Sequence, residues 1–245
     1  MRRLVFDVET SPPLIEAFLP LKGPYIAHSQ IVRESEMMCF SAKWYGSKKV
    51  EFRSTFHDGR ELMVRRLWHL LDEADVVIDY YGRGVDIPRS RQEFLKLGLG
   101  PPSPFLELDL YKTVKQFGFP SNSLAYALKF LGLEGKVTHE GQKLWRDCLA
   151  GDPRAWAKMK RYSMRDVTGL EEVHDALIPW ITGYPNHSAF SDGMMVCTRC
   201  GSSRLQKRGT STKRSVRYQR YQCTGCGGWM TGTSRLSSAK LIEEV

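Results

Sequence analysis

Apolar and polar positions change rhythm along this chain in a way that marks out its elements. Arg2 to Glu9 is an apolar run closed by acids, which predicts a strand entering a core. Met37 to Gly46 and Lys48 to Phe56 are two more strand-like runs, and Gly46-Ser47 between them predicts a tight hairpin. From Gly59 to Ala74, Leu62, Leu67, Leu70 and Leu71 recur at helical spacing. Asp75-Val76-Val77-Ile78 begins another strand. Ile87 to Leu97 predicts a second helix, entered through Pro88 in its first turn. Phe105 to Leu110 reads as a fifth strand after the Pro101-Pro102-Ser103-Pro104 break, and Ser123 to Leu131 and Pro153 to Leu177 as helices. This order predicts an α/β fold, a mixed five-stranded sheet flanked by helices. Pro179 to Gly193 is rich in Gly, Pro, Ser and Asn and reads as a linker. The expected division is a main domain over 1–178, the linker over 179–193, a small module over 194–232 and a tail over 233–245.

Composition adds a partner. The 245 residues, 42% hydrophobic, suffice for a sizeable core plus a small module. No stretch approaches the roughly 18 to 20 uncharged apolar residues of a membrane span. The N-terminal apolar run is interrupted by Asp7 and is too short for a signal peptide, so a cytoplasmic protein is expected. The net charge of +9 is concentrated at one end: Met194 to Val245 holds 10 Lys and Arg against 2 acids. A basic appendage on a near-neutral domain points to nucleic acid; a solvated tail is the plainer reading of the same charge.

Cys39 and Cys148 stand alone among apolar neighbours, as core cysteines do. Cys197, Cys200, Cys223 and Cys226 instead form two Cys-x-x-Cys pairs, each followed by Gly, separated by residues 201–222. Four thiolates at this spacing predict one tetrahedral, closed, structural Zn²⁺ site. Two matched pairs disfavour a redox dithiol. Arg204, Lys207, Arg208, Lys213, Arg214, Arg217 and Arg220 lie between the pairs, with Tyr218 and Tyr221 interleaved. The alternation from Val216 to Gln222 predicts a β-hairpin arm. Arg208, Arg214 and Arg217 are candidates to meet phosphates, and Tyr218 to stack on a base. Tyr221 and Trp229, near the cysteines, are expected in the module's minimal core.

The chemistry rests on acids. Leu4-Val5-Phe6-Asp7-Val8-Glu9 sets two carboxylates on one face at the end of an apolar strand, which is costly unless a cation neutralises them. Alone, Asp-x-Glu also fits a solvated strand end. Asp86 lies where a strand passes through a Gly-containing turn into a helix; before Ile87-Pro88 it also fits a helix N-cap. Tyr162 and Asp166, four apart, share one face of a helix, and an amphipathic helix with an exposed acid fits the same residues.

Taken in order, Asp-x-Glu, Asp before Ile-Pro, and Tyr-x-x-x-Asp resemble the three motifs of the DEDD exonuclease superfamily, in its DEDDy branch. The resemblance covers roughly Met1 to Leu177. Val5-Phe6-Asp7-Val8-Glu9-Thr10-Ser11-Pro12 is similar to the first motif, and Ser123 to Leu133 to the helix before the third. The nearest likeness is to proofreading domains of family B polymerases and their free-standing viral or microbial relatives. It implies an RNase H-like fold and 3′→5′ exonuclease activity. It also implies Asp7, Glu9, Asp86 and Asp166 as ligands of two Mg²⁺ or Mn²⁺, and Tyr162 as the residue positioning the attacking water. Thr10 and Ser11 would touch the terminal nucleotide. Tyr81 stands where that family often has Asn, and Val85 where it has an aromatic residue. Asp79 is an additional acid with no role in the pattern.

Two functions follow. One is a two-metal exonuclease acting on nucleic acid, DNA with single-stranded 3′ ends foremost, aided by the basic zinc ribbon. The other is a weakly active or inactive binding protein that recruits nucleic acid or a polymerase. A replication or repair protein is an expected partner in either case, and a membrane is not.

Overall fold

The computed structural model describes residues 1–16, 26–191, 193–213 and 215–238. Of the expected features, Arg214 and the tail beyond 238 lie outside the described residues. The chain divides into two compact units, Arg2–Val173, and His174–Val245 together with Met1.

The first unit begins with β1 (Arg3–Thr10), the two-residue β2 (Leu14–Ile15), β3 (Ile31–Arg33), β4 (Met37–Trp44) and β5 (Glu51–Ser54). Then come α1 (Arg60–Asp72), β6 (Val76–Asp79), α2 (Asp86–Lys96), β7 (Leu106–Asp109), α3 (Leu110–Lys115), α4 (Leu124–Phe130), α5 (Gln142–Leu149) and α6 (Pro153–Leu177). The main sheet has the order β5-β4-β1-β6-β7. β4 is antiparallel to both β1 and β5, whereas β6 runs parallel to β1 and β7. It is the mixed five-stranded sheet flanked by helices that the pattern predicts.

β1 is central, so both its faces are covered. Leu4, Phe6 and Val8 pack with Met63, Val64 and Leu67 of α1 and Phe94 of α2. Alternation turns Asp7 and Glu9 to the other face, the side on which Met38 and Cys39 of β4 pack with Trp156, Met159 and Tyr162 of α6. Ser163 Oγ donates to Ser41 Oγ at 2.8 Å, and Lys43 pairs with Glu171, so α6 is pinned to β4 on both sides of Asp166. The β1–β4 register shifts between Glu9 and Thr10, an irregularity that ends regular pairing beside the acids.

In the second unit, β8 (Leu205–Lys213), β9 (Val216–Cys223) and β10 (Trp229–Ser238) form an antiparallel sheet in the order β10-β9-β8. Tyr221 is half-buried, but Trp229 is not a core residue as the sequence suggests: it is 45% exposed, with the Arg220 guanidinium 4.7 Å from its ring centre. An exposed indole covered by a cation needs no apolar pocket. Among the described residues no helix is long and apolar enough to cross a membrane.

Candidate active site

The carboxylates of Asp7, Glu9 and Asp166 converge, each offering an oxygen within 4.8 Å of the others. Two come from the end of β1 and the third from one turn beyond Tyr162 on α6. Asp7 Oδ2 and Asp166 Oδ1 are buried and have no hydrogen-bond partner among the described residues. Orphaned carboxylate oxygens are costly in a protein interior. Three hard oxygen donors with unsatisfied lone pairs fit Mg²⁺ or Mn²⁺, which take carboxylates in preference to softer ligands.

Asp86 is not in that trio. It is the first residue of α2 rather than its cap, which is Val85. Its Oδ1 instead accepts the Val8 N–H at 3.0 Å, bridging α2 to β1 between the two motif acids. One Asp86 carboxylate oxygen is thus engaged in tying the start of α2 to the buried amide of β1.

The electrostatics follow from crowding. Burial pushes the Asp7 carboxyl well above its usual range, and the charges of Glu9, Asp86 and Asp166 add to it, while Lys136 opposes. Burial, with Asp166 and Asp86, pushes Glu9 up to about 8 against Lys136 and the Trp145 side chain. Burial raises Asp86 to about 6, opposed by the Val8 amide. The Tyr162 phenol is raised above its ordinary value by burial first and then by Glu9, Asp166 and Asp7. It remains protonated at neutral pH.

Sequence reasoning missed two groups here. Lys136 Nζ donates to Asp166 Oδ2 at 2.7 Å and lies 5.6 Å from the Tyr162 ring centre. His139 and Trp145 meet the Tyr162 ring edge-on, at 4.9 and 5.9 Å between centroids, and so box its orientation. Trp145 lies in α5, whose eight residues carry too short a pattern to stand out, and Lys136 and His139 lie in the irregular stretch before it.

Two clefts adjoin the acids. One, of about 780 Å³, is lined by Thr10, Ser11, Arg89, Gln92, His139 and Trp145. The Ser11 hydroxyl accepts the Glu36 N–H at 3.0 Å, so this side chain shapes the cleft while bound to backbone. The other, of about 520 Å³, is lined by Asp7, Tyr80, Tyr81, Tyr111, Asn122 and Lys136, among others. Tyr81 is 52% exposed and adopts the left-handed φ of 67° that Asn tolerates better than an aromatic residue does.

In the second unit the four cysteines gather, with Sγ atoms 3.6 Å apart for Cys197–Cys226 and 3.7 Å for Cys200–Cys223. These are free thiols, too far apart for disulfides. A tetrahedron of Zn–S bonds has edges of about 3.8 Å, which the set fits. Gly201 and Gly227, at φ 74° and 77°, donate to Cys197 and Cys223 carbonyls and close the two turns. Arg208 and Arg217 are exposed, Tyr218 is half-buried, and Arg217 and Tyr218 point to opposite faces of β9.

A mixed sheet with acids at the end of its central strand defines the RNase H-like class. The chain belongs to the RNase H superfamily, whose profile matches residues 32–178; Asp86, Tyr162 and Asp166 lie within the match, and Asp7 and Glu9 precede it. No curated protein sequence matches. The structure is similar to that of the family B DNA polymerase from the hyperthermophilic archaeon Pyrobaculum calidifontis, with a TM-score of 0.58 and 16% identity over 90% of this chain and 33% of that one. Trypanosoma brucei RNase D follows, with a TM-score of 0.45 and 12% identity over 74% of this chain and 58% of that one. The chain thus spans about a third of the polymerase and under two thirds of the RNase D. At such identities the polymerase likeness is one of fold.

Proposed function

We propose that this protein is a divalent-metal-dependent 3′→5′ exonuclease of the DEDDy type, acting foremost on single-stranded 3′ ends of DNA. The observation that carries the reading is the convergence of Asp7, Glu9 and Asp166, with orphaned oxygens on Asp7 and Asp166 and Tyr162 on the same helix face as Asp166.

Asp7, Glu9 and Asp166 would hold Mg²⁺ or Mn²⁺, with Asp86 completing the set. Two such ions supply an activated water and stabilise charge on the attacking and leaving oxygens of an in-line displacement. The chain's own groups do the rest. Tyr162, held protonated beside Asp166, would orient the attacking water through its hydroxyl; a phenol that keeps its proton does not serve as a general base near pH 7. Lys136 offsets the Asp166 charge. Tyr81 and Tyr111, 5.1 Å apart between ring centroids in the second cleft, offer faces for a base of the strand. Thr10 and Ser11 line the cleft that would take the terminal nucleotide.

The four-cysteine module is read as a zinc ribbon. Its exposed Arg204, Lys207, Arg208, Lys213, Arg217 and Arg220 suit the phosphates of a nucleic-acid strand. The proposed division is an exonuclease domain over 1–178 and a ribbon from 194, joined through 179–193.

The test is polarity. Purified protein is incubated with 3′- or 5′-labelled single strands and duplexes of DNA and RNA in Mg²⁺ or Mn²⁺. The expected outcome is immediate release of the 3′ label as mononucleotide and gradual shortening of 5′-labelled strands, fastest on single-stranded DNA. Release of the 5′ label first, or internal cuts, would refute the assignment.

A further inference from the structure

Asp79, the acid the exonuclease pattern leaves without a role, belongs to a second cluster. Asp79 and Asp109 are register partners at the ends of the parallel strands β6 and β7, and Glu107 lies two residues before Asp109. Alternation therefore sets all three on one face. Each offers a ligand oxygen within 4.8 Å of the other two. Adjacent like charges on one face repel and destabilise a sheet unless something neutralises them.

Their hydrogen bonds leave one oxygen on each residue without a full partner. Asp79 Oδ1 accepts the Gly82 N–H at 2.9 Å. Asp109 Oδ1 accepts the N–H groups of Tyr81 at 2.9 Å and Tyr111 at 3.0 Å. Glu107 Oε2 accepts from Arg83 Nε at 2.5 Å. Asp79 Oδ2 and Glu107 Oε1 remain buried with no hydrogen-bond partner among the described residues, and Asp79 has no exposed surface. Asp109 Oδ2 meets the Lys112 ammonium at 3.7 Å. The two flanking cations are weak neutralisers, because the Arg83 and Lys112 side chains are 70% and 61% exposed and screened by water.

We propose that Asp79, Glu107 and Asp109 form a second divalent-cation site, separate from the catalytic acids, for a hard ion such as Mg²⁺, Mn²⁺ or Ca²⁺. Three carboxylate oxygens, two of them orphaned and buried, are the donor set such ions take, with water completing the shell. The exposed Arg83 can swing aside to admit the ion. Gly82 leaves no room for a side chain: a Cβ there would lie 2.4 Å from Asp79 Cγ. An ion at this point ties the ends of β6 and β7 to the turn that leads into Asp86. Burial pushes Asp79 up to about 8, with the Glu107, Asp109 and Asp86 charges adding to it and the Gly82 amide opposing. A retained proton is thus the competing way to neutralise the cluster.

The test uses the full chain prepared with equimolar Zn²⁺ and titrated with Mn²⁺ at pH 8.5, free ion being counted by electron paramagnetic resonance. In Asp7→Ala/Asp166→Ala protein the catalytic set is dismantled, and one Mn²⁺ should still bind and raise the melting temperature. Adding Asp79→Asn and Glu107→Gln, which keep shape and remove charge, should abolish both effects. Glu107→Gln alone, at the less buried ligand, should weaken binding at least tenfold. No Mn²⁺ bound to the Asp7→Ala/Asp166→Ala protein would overturn the proposal, as would an ion that persists after the Asp79 and Glu107 changes. The count is independent of the exonuclease reading, whose own ions appear as the difference between wild type and Asp7→Ala/Asp166→Ala.

Discussion

Lys136 donates to Asp166 across 30 residues of sequence, at 2.7 Å, and its ammonium is what opposes the upward drift of the Asp7 and Glu9 carboxyls. The pair shows how the site is balanced. Burial and mutual repulsion favour protons on the acids, and positive charge favours their removal.

That balance fixes a pH dependence. Metal binding needs ionised carboxylates, yet Glu9 is pushed up to about 8 and Asp86 to about 6. Mn²⁺ affinity should therefore climb between pH 6 and 8, with protons released on binding. Calorimetry in buffers of different ionisation heat reads both quantities, and a flat affinity over that range would contradict the assignment.

The same shifts set the stability of metal-free protein. Glu9 rises from 4.5 to about 8 and Asp79 from 3.8 to about 8, so between those values the folded state binds more protons than the unfolded one. The contribution of these two groups to stability is full below about pH 4 and is lost as pH rises toward 8. The melting temperature without divalent ions should be lower at pH 8 than at pH 6, and excess Mg²⁺ should restore it. A melting temperature that rises with pH in chelator would show that the acids are not held protonated.

Tyr162→Phe removes one hydroxyl and no ligand. Hydrolysis should slow by a factor on the order of 10², the scale of a positioned proton donor, while Mn²⁺ affinity stays within about twofold. Loss of Mn²⁺ binding as complete as in Asp7→Ala would mean the tyrosine supports the metal site instead.

Long patterns made most of this fold legible. β1, β4, α1 and α6 each bury a repeated apolar face, and the i, i+2 spacing of Asp7 and Glu9 already places them side by side. The short elements are not legible: α3 and α5 have too few residues to show a repeat. Lys136 lies in a stretch without regular structure, and only its hydrogen bond to Asp166 gives it meaning. In sequence Asp86 fits a cap before Ile87-Pro88 as well as the metal ligand the resemblance implies, and neither reading can show that the Val8 amide lies within reach. The acidic trio at β6 and β7 is hidden for the same reason, since register, not sequence distance, joins Asp79 to Asp109.

Cys223→Ser with Cys226→Ser removes half of the thiolate set and should release Zn²⁺ and unfold the ribbon. Hydrolysis should persist at a similar maximal rate, with a higher substrate requirement. The slope of log affinity against log salt should flatten by about 0.7 to 0.9 for each phosphate that the ribbon no longer neutralises. An unchanged slope would assign the ribbon to protein docking.

Central to the proposed chemistry, Asp7 and Asp166 would hold the ions that promote cleavage of a 3′-terminal phosphodiester. The most direct measurement is mononucleotide release from a 3′-labelled single-stranded DNA by wild type, Asp7→Ala and Asp166→Ala, each in Mg²⁺, Mn²⁺ and chelator. The predicted result is release by wild type with either ion, none in chelator, and at least a thousandfold loss in both variants with their folds intact. Wild type that releases nothing with either ion, or variants that keep full activity, would contradict it.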